Sequence, residues 1–101
     1  MINNPERAEW FTIVNPNAGN GKGKKDWDRI SGLFAKEKIL IYAVFTERKG
    51  QAIELTREAL ANGYRKIISV GGDCTLNEVV NGIFTQEACS SKDVLLGMVP
   101  V

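Results

Sequence analysis

The sequence predicts an α/β fold: a three-layer α/β/α sandwich on a parallel four-stranded sheet. Three observations lead there. Short runs rich in β-branched and aromatic residues alternate with amphipathic stretches in the order βαβαβαβ. The stretches between the runs are long enough for crossover helices, and strands joined in this way lie parallel, with right-handed connections. Runs such as KIISV and VLLGMV are nearly continuous in apolar residues, which suits a sheet covered on both faces.

Each element has its own signature. WFTIVN over 10–15 is short, β-branched and aromatic, and it stops at Pro16: the first strand. Over 24–37, Trp27, Ile30, Leu33 and Phe34 recur at helical spacing among charges. LIYAVFT over 40–46 reads as the second strand. Over 50–62, Ala52, Leu55, Ala59 and Leu60 share one side of a helix that meets the terminator Gly63. KIISV over 66–70 is the third strand, stopped by Gly71 and Gly72. Leu76, Val79, Val80, Ile83 and Phe84 give the clearest helix, over 75–84, and VLLGMV over 94–99 the fourth strand.

The 101 residues suffice for one compact domain, expected to span 1–101, with no internal repeat, low-complexity tract or linker. Thirteen Lys and Arg face twelve Asp and Glu, a net charge of +1, so there is no general field for nucleic acid and any anion site must be local. No apolar run approaches the roughly 20 residues of a membrane span, nor does residues 1–7 resemble a signal sequence. A soluble, cytoplasmic protein is expected. Cys74 and Cys89, with no histidine in the chain, cannot supply the about four ligands zinc requires, and two unpaired thiols are expected in a reducing compartment.

In open α/β sheets, ligands bind beyond the carboxyl ends of the strands. Three segments fall there. Residues 15–25 carry three glycines and three lysines between a strand and a helix; glycines let amides approach an anion, and lysines add mobile positive charge. The spacing matches neither the P-loop nor G-x-G-x-x-G, and a solvated flexible loop accounts for it equally well. At Gly71-Gly72-Asp73, a strand again passes into a helix with its amides aimed above the sheet. Thr75 and Glu78 match the T-x-x-E capping box of a helix start, a structural account compatible with ligand binding. The third segment, residues 46–50, says little: a polar residue such as Thr46 commonly ends a strand. Ligand contact by the loops after strands 1 and 3 makes those strands neighbours, so the order 2-1-3-4 is favoured over 3-2-1-4.

Asn15-Pro16-Asn17-Ala18-Gly19 resembles the N-P-x-[AS]-G loop of the diacylglycerol kinase and sphingosine kinase catalytic domain family. Gly71-Gly72-Asp73-Cys74-Thr75-Leu76-Asn77-Glu78-Val79-Val80-Asn81-Gly82 resembles its G-G-D-G-T-x-N-E-V-x-N-G, and Leu96-Gly97-Met98-Val99-Pro100 its L-G-x-x-P. The resemblance implies transfer of the ATP γ-phosphate to a lipid hydroxyl. It implies nucleotide contacts at Asn15, Pro16, Asn17, Ala18 and Gly19, at Thr46, and across Gly71, Gly72, Asp73, Cys74, Thr75, Leu76, Asn77 and Glu78. Phosphoryl transfer rests on positioning and charge stabilisation, which suits loops of backbone amides. Asp73 beside phosphates calls for a role in orienting amides, a water or a cation.

The sequence departs from the family pattern in two ways. Cys74 stands where the motif has glycine, so its Cβ either crowds a phosphate or strains the backbone, or else an ordinary backbone tolerates a small thiol. The family also continues into G-T-x-N-D and a β-rich domain, where the resemblance places the catalytic base, the Mg²⁺ ligands and most of the lipid site, with any peripheral membrane contact. The expectation is an amino-terminal nucleotide-binding part, inactive alone and without catalytic or metal-binding residues of its own. Its apolar edge and face would be left exposed, favouring a homo-oligomer. Two other readings stand beside this one: a piece of the related NAD kinase family, which shares G-G-D-G-T, and a non-enzymatic nucleotide- or phosphate-binding module of flavodoxin-like shape.

Overall fold

A computed structural model describes residues 7–101. Its regular elements are β1 (Trp10–Val14), α1 (Ala18–Lys36), β2 (Ile41–Phe45), α2 (Gln51–Ala61), β3 (Lys66–Gly71), α3 (Asp73–Thr85) and β4 (Leu95–Pro100), with one 3₁₀ turn at Ser91–Asp93. The four strands form one parallel sheet in the order β2-β1-β3-β4. Both the fold class and the strand order agree with the sequence-based expectation.

The alternation of side chains along the strands divides the core in two. On one face Phe11, Ile13 and Ile67 pack with Ala52, Ala59 and Leu60 of α2 and with Val79 and Ile83 of α3. On the other, Val14, Ile68 and Val70 receive Ile30 of α1, with Trp27 and Phe34 beside it. Ile13, Val14, Ile67 and Val70 are fully buried, as strands covered on both faces must be. α2 and α3 approach closely at Gly82, where a Cβ would stand 2.7 Å from Thr56 Cβ.

The register sets the site. Val14 pairs with Phe45 on one side and Val70 on the other. The Asn15 amide then donates to the Val70 carbonyl and the Thr46 amide to the Val14 carbonyl, both at 2.9 Å. Asn15, Thr46 and Gly71 therefore stand at one level of the sheet's carboxyl edge. From β1 the chain crosses to β2 on one side and then to β3 on the other, so the switch point lies between β1 and β3.

β2 and β4 are the two edge strands, and the expected apolar exposure is present at β4: Leu95 and Met98 are more than half exposed, as is Phe84 at the end of α3. Among the described residues no helix is long and apolar enough to cross a membrane.

Candidate functional site

The loop after β1 is shaped by its glycines. Gly19, Asn20 and Gly21 are left-handed in succession, with φ of 61°, 59° and 89°, before the regular turns of α1 begin. Glycine adopts this conformation without penalty, and asparagine is among the few other residues that often do. Gly23 is buried against the Asn15 carbonyl, where any Cβ would collide. The Asn15 side chain organises the rest of the loop: its Oδ1 accepts from the Asn17 amide at 3.0 Å.

That same side chain reaches the other motif. Asn15 Nδ2 donates to Thr75 Oγ1 at 3.2 Å, across sixty positions of chain. Thr75 is 4% exposed, in the first turn of α3, and Gly71 lies against its hydroxyl. α3 begins at Asp73 with Gly72 as N-cap and no side-chain cap, and its first helical bond runs from the Leu76 amide to the Gly72 carbonyl at 3.1 Å. The amides of Asp73, Cys74 and Thr75 precede that bond and have no acceptor four residues back within the helix. They carry the positive end of the helix dipole.

The capping box expected from Thr75 and Glu78 is not formed. The helix starts two residues earlier, and both side chains have partners on other elements. Thr75 accepts from Asn15, while Glu78 Oε1 accepts from the Ala52 amide of α2 at 3.2 Å.

A cleft of about 460 Å³ opens where the three segments meet. Asn15 and Asn17 line it from the first loop, residues 46–49 and Ala52 from the second, and Cys74, Thr75 and Glu78 from α3. A shallow depression of about 500 Å³ adjoins it through Cys74 and is lined by Asp73, Leu76, Asn77 and Val80. Of the residues singled out in the sequence, Asn15, Asn17, Thr46, Cys74, Thr75 and Glu78 share the cleft; Asp73, Leu76 and Asn77 stand in the adjoining depression. Pro16, Ala18, Gly19, Gly71 and Gly72 line neither, and belong to the turns that shape them. The Thr46 hydroxyl donates to the Val14 carbonyl at 3.4 Å.

Glu47, Arg48, Lys49 and Ala52 also line the cleft and were not among the singled-out residues. Charges marked the first three in the sequence, but nothing in their spacing gave direction; Ala52 reads only as a helix-face alanine. Arg48 is paired with Glu54, and the cleft's Arg48 and Lys49 are balanced by Glu47 and Glu78. The free amides at the start of α3 place the positive end of that helix dipole beside the cleft. Cys74 has an ordinary helical backbone, since Asn20 and Lys38 are the positive-φ non-glycine residues among those described; its thiol is exposed. Of the possibilities for Cys74, backbone strain is removed; crowding of a phosphate and a tolerated thiol both fit an ordinary backbone.

Comparison with known proteins supports the same grouping. The model of the diacylglycerol kinase catalytic domain family matches residues 9–101. A ceramide kinase of Arabidopsis thaliana is 36% identical over 86 residues, covering 81% of this chain and 14% of that protein. A diacylglycerol kinase of Staphylococcus haemolyticus is 39% identical over 74 residues, 73% of this chain and 22% of that protein. A crystal structure of a diacylglycerol kinase from Bacillus anthracis superimposes with a TM-score of 0.74 at 28% identity, covering 92% of this chain and 31% of that one. The chain thus spans less than a third of the length of each of these relatives. With its two motif loops, its strand order and these matches in agreement, the chain belongs to the diacylglycerol kinase catalytic domain family.

Proposed function

We propose that this chain is the nucleotide-binding portion of a lipid kinase that transfers the γ-phosphate of ATP to a lipid hydroxyl. The observation that carries this reading is the Asn15–Thr75 hydrogen bond, which joins the two motif loops where both line one cleft. In this reading the phosphates lie across the amides of Asp73, Cys74 and Thr75, with Asn17 and Thr46 on the facing wall. Amides fixed at a helix start stabilise phosphoryl charge without reorganising, which is what this class of transfer requires.

Gly72 supports the reading from another side. Its backbone is extended, with φ of −93° and ψ of −165°, which any residue adopts, and a Cβ there would meet nothing within 4 Å. The fold does not require glycine at this position. Close approach of a phosphate would.

Among the described residues no group of three or more His, Cys, Asp or Glu side chains could hold a metal ion. Mg²⁺ in such transfers is commonly held by one or two carboxylates with phosphates and waters; on the family resemblance its ligands, the catalytic base and the lipid site are proposed to lie in the β-rich region into which the family continues. The exposed Phe84, Leu95 and Met98 support a further reading in which the chain on its own self-associates; light scattering at rising concentration tests it. The enzymatic reading is tested by incubating the full-length protein that carries this chain with γ-labelled ATP and diacylglycerol, ceramide or a sphingoid base. Label on a lipid supports it; no labelled lipid alongside intact ATP binding favours a binding module instead.

A further inference from the structure

The amino end of α2 cannot cap itself. Its N-cap is Gly50, left-handed at φ 86°, with no side chain to offer. The Gln51 amide reaches the Arg48 carbonyl at 3.3 Å and the Ile53 amide the Gly50 carbonyl at 3.2 Å. The amide between them belongs to Ala52, which is 1% exposed, so water cannot readily serve it. Its acceptor is Glu78 Oε1, supplied by α3 at 3.2 Å. The Gln51 side chain in turn accepts from the Glu47 amide at 2.6 Å, so order passes from Glu78 through the first turn of α2 into residues 46–49. Those residues line the same cleft as Cys74 and Thr75 of α3.

We propose that Glu78 is a positioning residue: its carboxylate caps α2 from the neighbouring helix and so fixes residues 46–49, which line the cleft with the first turn of α3. The proposal rests on the nucleotide reading of the cleft. A carboxylate beside phosphates opposes their binding by charge. Directed at the positive end of α2, that charge is partly compensated, and the residue shapes the cleft from its edge.

The test uses Glu78→Ala, which removes the acceptor, and Glu78→Gln, which keeps an acceptor oxygen without the charge. Hydrogen exchange of the Ala52 amide in nucleotide-free protein reports the cap, and calorimetric titration with ATP reports the cleft. Glu78→Ala is expected to speed Ala52 exchange at least tenfold and weaken ATP binding at least fivefold. Glu78→Gln is expected to hold both within threefold of wild type. Affinity that follows Ala52 protection in each variant that folds supports the proposal. Affinity lost while protection stays intact, protection lost while affinity stays intact, or both unchanged in Glu78→Ala, overturns it. A wild-type chain that does not bind ATP overturns the nucleotide reading itself, a result distinct from any of these because it precedes the substitutions.

Discussion

Gly71 lies against Thr75 so closely that a Cβ on Gly71 would stand 2.7 Å from the threonine hydroxyl oxygen. The next residue, Gly72, has open space where a Cβ would go. Adjacent glycines of one motif therefore have different causes, and the difference is measurable. Gly71→Ala must displace the buried Thr75 side chain from Asn15, and should cost about 1–3 kcal/mol of stability. Gly72→Ala should leave the denaturation midpoint nearly unchanged, within roughly 0.5 kcal/mol, while weakening ATP binding tenfold or more. Chemical denaturation paired with calorimetry checks both. An equal stability loss from the two substitutions would contradict this division.

Cys74 is exposed in the first turn of α3 and lines the cleft, with no backbone strain to relieve. Its effect on a ligand should then be steric. Cys74→Gly should tighten ATP binding by severalfold, even though glycine in a helix costs up to about 1 kcal/mol of stability relative to alanine. Calorimetry giving unchanged or weaker affinity would place the thiol clear of the phosphates.

Tyr64 supplies a pH dependence unrelated to the cleft. Burial pushes its pKa above the ordinary phenol value of 10.0, the Glu9 carboxylate adds to the rise, and Arg7 opposes it. The protonated phenol is the form the fold favours, so its contribution is fully present below pH 10 and is lost as pH climbs through the raised value. Tyr64→Phe should therefore flatten the fall in stability above pH 10 while leaving its slope near neutrality unchanged. Denaturation series at pH 7 and above 10 provide the comparison, and identical alkaline slopes would contradict the assignment.

The elements were readable because each carried its own period: β-branched runs for strands such as KIISV, and the recurrence of Leu76, Val79, Val80 and Ile83 for α3. The strand order was readable from function, since two ligand loops needed neighbouring strands. The capping box was misleading for a physical reason. Thr75 and Glu78 have the local spacing of a helix start, yet their partners, Asn15 and Ala52, lie 60 and 26 positions away. Long-range partners outcompete a local pattern, and spacing does not display them. Ahead of the regular turns of α1 the chain passes through the left-handed Gly19, Asn20 and Gly21, which composition marks as a glycine-rich loop. Ala52 shows the remaining limit: its part in the cleft lies in its backbone amide, which leaves no trace in the side-chain sequence.

Amide chemical-shift mapping during an ATP titration of this chain asks whether the loops after β1 and β3 present one phosphate-binding surface. Saturable shifts concentrated at Asn17, at Thr46 and at Asp73 through Thr75, all following one binding curve, are expected. Shifts confined to one loop, or centred on the depression between α1 and β4 lined by Ile30, Phe34 and Val99, would contradict it.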